Sequence, residues 1–156
     1  MRELMDVTLM KIAFVFAGAR TTCLRRGSAS LATDVNNHIL SMGVNGVPSG
    51  FPHCNEGFPC KGAYAPSGQN LDDCKAVHSE INMLLQCPDV SKIHTVYNTV
   101  SPCISCAKAL LASGCKKIVF AELYPHTQSR ELWEMSGRAW VHLELPKTQP
   151  DDASFY

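Results

Sequence analysis

The chain has almost no charge imbalance: fourteen lysines and arginines face fourteen aspartates and glutamates across 156 residues. That absence removes the electrostatic footprint a protein needs to wrap a nucleic-acid backbone, so no polymeric nucleic acid is expected as partner. A small anion held by one or two local arginines fits this balance better. Long apolar runs are missing too. The most apolar segment, Leu9 to Ala19, resembles the apolar region of a signal peptide ending in small residues. Glu3 and Asp6 precede it, however, and Lys11 interrupts it. It is far shorter than the roughly 20 residues a bilayer-spanning helix requires, which argues against a membrane. It reads instead as the first helix of a cytoplasmic protein, with Leu4, Val7, Met10, Lys11, Phe14 and Val15 near one face. Internal repeats and low-complexity tracts are absent, which excludes solenoids and linker-like tails. What remains, 46% hydrophobic and 18% charged, suits one soluble globular domain over residues 1–156, with a core over about 20–145 and a polar tail at 146–156.

What the chain does have is cysteine, eight in all. Disulfide frameworks usually staple domains much smaller than this, and two of the eight, Cys103 and Cys106, carry the CxxC spacing of a metal or redox site. Upstream stands His78-Ser79-Glu80. One imidazole and two thiolates supply three ligands, which leaves the fourth position of a tetrahedral zinc for water. Zinc so held lowers the pKa of that water toward about 7. Glu80 is too close in sequence to His78 to be a natural fourth ligand and is placed to carry a proton. A purely structural site would normally supply a fourth Cys or His instead.

The elements are legible in outline. Strands are predicted at 28–33 and 39–44 around an Asp34-Val35-Asn36-Asn37 turn, followed by an aperiodic loop from Asn45 to about Leu71. Helices are predicted at 73–86, 103–113 and 128–136, and strands at 93–98, 116–121 and 139–145. The alternation means a layered α/β domain. Val77, Ile81, Leu84 and Leu85 form the expected packing face of the first of these helices. Cys54, Cys60 and Cys74 fall on or beside the long loop, where a second, structural zinc is expected, completed by Cys23 or His53. Cys87, Cys115, Trp133 and Trp140 read as core residues.

With His-x-Glu and Pro-Cys-x-x-Cys in place, the sequence resembles the zinc-dependent cytidine deaminase superfamily. Within it, Cys23-Leu24-Arg25-Arg26, the Gly43 to Gly50 loop, His53-Cys54, Cys60 and Cys74 are similar to deoxycytidylate (dCMP) deaminases, a likeness that spans roughly residues 20–140. The resemblance implies a three-layer fold, a mixed five-stranded sheet with helices on both faces. It also implies hydrolytic deamination: activated water attacks C4 of cytosine, and Glu80 takes its proton, protonates N3 and later serves the departing ammonia. By the same likeness Asn45 would contact the deoxyribose and Tyr124 would stack on the base, while Arg25 and Arg26 would meet the phosphate. Asn45 could instead be a left-handed turn residue. Asn45, Gly46, Pro48 and Gly50 would lie near a regulatory site, with dCTP as activator and dTTP as inhibitor, in a homo-oligomer, often a hexamer. The chain departs from the family where Ser28-Ala29-Ser30 replaces Val-Gly-Ala and where Ser79 replaces Ala. Those changes leave open dCTP or a 5-modified dCMP as substrate. A zinc-stabilised binding module without turnover is the remaining alternative.

Overall fold

A computed structural model describes residues 1–66 and 68–146. The polar tail expected at 146–156 lies outside the described residues except for Pro146. The chain forms α1 (Met5–Arg20), β1 (Ala29–Thr33), β2 (Ile39–Val44), α2 (Ser79–Gln86), β3 (Thr95–Val100), α3 (Ile104–Leu111), β4 (Lys117–Glu122), α4 (Gln128–Met135) and β5 (Ala139–His142). The five strands make one mixed sheet in the order β2-β1-β3-β4-β5. β1 runs antiparallel to both β2 and β3, and β3, β4 and β5 run parallel. Each parallel step is bridged by a helix, as parallel strands require.

The two faces of the sheet bury different cores, and the period-2 alternation of β1 and β3 assigns residues to them. Leu31, Tyr97 and Val119 pack with Leu9, Met10 and Ala13 of α1 on one face. Ala32, Val96, Ile118 and Phe120 pack with Met83, Leu110 and Trp133 of α2, α3 and α4 on the other. Helices therefore cover both faces, as expected. The helix α1 is tied to the sheet by Asp6, which accepts from Tyr97 Oη at 2.7 Å and pairs with Lys117 Nζ at 2.9 Å. Burial opposes the charge on Asp6, but those two donors outweigh it and hold its carboxyl below the ordinary value.

Four expectations need correction. The packing face of α1 is rotated: Val7, Met10, Ala13 and Ala17 are buried, whereas Leu4 and Val15 are 75% and 56% exposed. The helix expected from Asp73 begins only at Ser79, because Val77 exchanges both backbone hydrogen bonds with Gly46, which holds it extended. Leu85, placed on its packing face, is 76% exposed, and Met83 is buried instead. β3 lies two residues later than expected, over Thr95–Val100.

Candidate active site and metal centre

The site gathers where two helices begin beside the end of β3. His78 is the N-cap of α2 and Cys103 the N-cap of α3, and neither caps its helix with its own side chain. The first amide of α2 is instead satisfied from outside: Asn45, just past β2, accepts the Ser79 N–H through Oδ1 at 2.8 Å. Its Nδ2 donates to the Arg26 carbonyl at 3.3 Å. Asn45 has no positive φ, so the left-handed turn reading of this residue fails.

His78 Nδ1 lies 3.5 Å from Cys103 Sγ and 3.4 Å from Cys106 Sγ. All three ligand atoms fall within 4.8 Å of one another, and among the described residues no other group of three His, Cys, Asp or Glu does so. A tetrahedral zinc with Zn–N and Zn–S bonds of about 2.0 and 2.3 Å requires N···S separations of about 3.5 Å. The donor set therefore fits zinc without rearrangement. Its electrostatics agree. The hydrogen bond from Cys106, joined by that of His78, holds the Cys103 thiol down to about 4. As donor to Cys103, and by burial, Cys106 is pushed well above the thiol range. The imidazole is raised, first by its hydrogen bond with Cys103. A trio that competes this strongly for protons offers negative charge to a cation.

Glu80 is 6% exposed, and burial raises its carboxyl above the ordinary value. It lines the same cavity as His78, Cys103, Asn45, Tyr124, Arg25 and Arg26, so every sequence-predicted catalytic and substrate-contact residue meets there. Tyr124 sits at the rim, its backbone N–H fixed by Ser101 Oγ at 2.7 Å and its ring edge-on to His126. The two arginines are not idle. Arg25 donates to the carbonyls of Pro66, Gln69 and Asn70, at 2.7, 2.6 and 3.4 Å, and so draws that loop over the cavity. Arg26 pairs with Glu122 at 2.7 Å.

Gly46, Pro48 and Gly50 do not line the cavity. Gly46 bridges to Val77, Pro48 accepts the Phe51 N–H, and Gly50 makes an exposed turn at φ 88°. Cys54 and Cys60 are buried, with Cys74 packed against them. Cys60 accepts hydrogen bonds from both other thiols, and Cys23 is close enough for its charge to act on Cys54 and Cys74. This group is looser than the His78 trio. Burial opposes a thiolate at Cys60, yet the Lys75 and Gly62 amides and the neighbouring thiols outweigh it and lower its pKa. His53, the other candidate, has a buried Nδ1 with no partner.

Sequence reasoning missed three features. Arg25's clamp on the 66–70 loop and the seat that Ser101 makes for Tyr124 join positions far apart in the chain, and no local pattern announces them. Ser28, Ser30 and Ser79 were noticed as departures, but not as neighbours in space.

Residues 5–122 match the family described as the cytidine and deoxycytidylate deaminase zinc-binding region. The deoxycytidylate deaminase of Schizosaccharomyces pombe is 30% identical over 130 residues, covering 80% of this chain and 40% of that protein. ComE operon protein 2 of Bacillus subtilis is 31% identical over 134 residues, covering 81% of this chain and 65% of that protein. The chain thus spans well under half of the yeast relative and about two-thirds of the bacterial one. In fold it is similar to the dCMP deaminase of cyanophage S-TIM5 in complex with dCMP and dUMP. The TM-score is 0.74 at 24% identity, over 92% of this chain and 99% of that one.

Proposed function

The chain belongs to the cytidine and deoxycytidylate deaminase zinc-binding family, and from that premise we propose that it hydrolyses dCMP to dUMP and ammonia. The observation that carries this reading is the His78–Cys103–Cys106 trio with a buried carboxyl, Glu80, in the same cavity. His78, Cys103 and Cys106 would hold zinc, which when bound supplies a Lewis acid that makes water acidic near neutral pH.

The chain's own residues do the rest. Tyr124 stacks on the cytosine and Asn45 orients the sugar. Arg26, and the donors that Arg25 has left, receive the 5′-phosphate. Glu80 accepts a proton from the attacking water and passes it to N3. As the C4–N bond breaks it delivers the second proton, so that ammonia leaves and oxygen stays on C4. Its raised affinity for protons, set by burial, suits a group that must both take and give one near neutral pH.

A second reading keeps the chemistry and changes the base to a 5-modified cytosine, because Ser28 puts a hydroxyl into the cavity wall. A non-catalytic zinc module has no use for a buried carboxyl beside the metal. By family likeness we also infer a homo-oligomer, activation by dCTP and inhibition by dTTP felt through the 45–50 loop, and a cytoplasmic location that keeps all eight cysteines free. Sedimentation of the protein and effector titration of its turnover test the first three. Among the described residues no helix is long and apolar enough to cross a membrane.

The deciding experiment follows loss of dCMP absorbance with zinc-loaded protein beside Glu80→Ala. Wild-type turnover, with a loss of about 10²–10⁴-fold in the variant at unchanged zinc content, is expected. Turnover of neither dCMP nor any 5-modified or triphosphate analogue by the wild type would overturn the reading.

A further inference from the structure

A hydroxyl cluster lies behind the catalytic carboxyl, between β1 and the start of α2. Ser28, Ser30 and Ser79 are 7%, 0% and 3% exposed. Ser30 Oγ lies 2.9 Å from Ser79 Oγ, and Ser28 Oγ donates to the same atom at 3.4 Å. Ser79 Oγ in turn donates to Glu80 Oε2 at 3.3 Å. A serine hydroxyl has one proton and two lone pairs. Once Ser79 gives its proton to Glu80, both neighbouring serines must donate into it, and the group is then saturated with no freedom to rotate elsewhere. All donors run toward the carboxyl. The last contact is longer than a charge-assisted hydroxyl–carboxylate bond of about 2.5–2.7 Å. That is the slack catalytic hydrogen bonds often show before substrate closes the site.

A second observation makes this more than incidental polarity. Asn98 pairs directly with Ser30 in the β1–β3 ladder, and directly opposed residues share a face. It is 1% exposed, and neither its Oδ1 nor its Nδ2 has a partner. The core around it is apolar, built from Ala32, Val96 and Phe120. Three hydroxyls and an unpartnered amide are costly to bury there. Ser28, Ser30 and Ser79 are joined to Glu80 by one run of hydroxyl contacts.

We propose that Ser79, oriented by Ser28 and Ser30, is a positioning residue. It fixes one oxygen of Glu80 so that the carboxyl presents the other to the attacking water and the base. The group carries no proton out of the site; it sets the angle of a carboxyl that would otherwise sample several rotamers. This inference rests on the deamination reading above.

The test is steady-state kinetics on dCMP with Ser79→Ala, Ser30→Ala and the double variant, all zinc-loaded, together with infrared difference spectra of the Glu80 carboxylate. The expected result is a kcat about ten-fold lower in Ser79→Ala, the size expected for losing one hydrogen bond to a charged group, with KM nearly unchanged. Ser30→Ala falls part of the way. The double variant is no worse than Ser79→Ala alone, because both act through one hydroxyl. The carboxylate band assigned with Glu80→Gln shifts in Ser79→Ala, a readout independent of turnover. Wild-type kcat in Ser79→Ala, additive losses, or an unshifted band would each overturn the proposal. An inactive wild type would sink the deamination reading instead, which keeps the two failures apart.

Discussion

Asn45 and the two arginines show how much of a site a single residue can decide. Asn45 was legible as a site residue, but its reach across 34 positions to the Ser79 amide was not, because that bond depends on where β2 ends relative to α2. Arg25 and Arg26 were legible as candidates for phosphate contact and illegible as a clamp and an ion pair. A guanidinium carries five N–H donors. Arg25 spends three on loop carbonyls. Arg26 spends one on Glu122, a partner 54% exposed that a phosphate dianion can displace. On the proposed reading, Arg26 keeps more of its donors for a phosphate than Arg25 does. Arg26→Ala should raise KM for dCMP by about ten-fold, the loss of one charge-assisted contact, while turnover of deoxycytidine stays as it was. Parallel assays on the two substrates check this; equal effects on both would assign Arg26 to the fold alone.

At the scale of elements, the chemistry depends on how closely α2 lies on β2. Gly43 makes that approach possible. A Cβ at this position would stand 2.3 Å from both the Met83 amide nitrogen and the Ser79 carbonyl oxygen. No side chain can give way there, since both atoms are backbone. Gly43→Ala must therefore push α2 outward and carry His78 and Glu80 with it. We expect a loss on the order of 3 kcal/mol of stability, with weaker zinc binding. Thermal unfolding and zinc titration measure the two effects, and a variant as stable and as zinc-loaded as the parent would refute the account. The motif around this element was plain in the sequence, yet its helix start was misread by six residues. Asp72 and Asp73 look like helix-initiating residues, but the Gly46–Val77 bridge holds the chain extended until His78. Such long-range pairing has no signature in helical periodicity.

For the molecule as a whole, the long connection between β2 and α2 needs an anchor that the sheet does not supply. Apart from two short 3-10 turns, Cys54–Glu56 and Leu71–Asp73, the described residues of this span form no helix or strand. It nevertheless covers the cavity and carries Cys74 to within reach of His78's segment. Its apolar support is small: Cys54, Cys60 and Ala63, with Val47 and Cys74 at the edge. Alternation and the zinc motif made the layered fold legible from sequence, because each is local. The loop's convergence on Cys60 was legible only as a guess from cysteine count. We propose that Cys54, Cys60 and Cys74, which pack together under the loop, hold a structural zinc, completed by Cys23 or by His53, whose buried Nδ1 has no partner. Such a site contributes folding free energy directly. The loaded protein should then contain two zinc ions per chain by elemental analysis, against one in Cys60→Ser. That variant keeps the His78 trio intact, so residual deamination should persist at low temperature. Its 45–78 segment, freed from its anchor, should be cut by protease well before the sheet unfolds. One zinc per wild-type chain would show instead that this loop is held by thiol packing and by Arg25's grip on Pro66, Gln69 and Asn70.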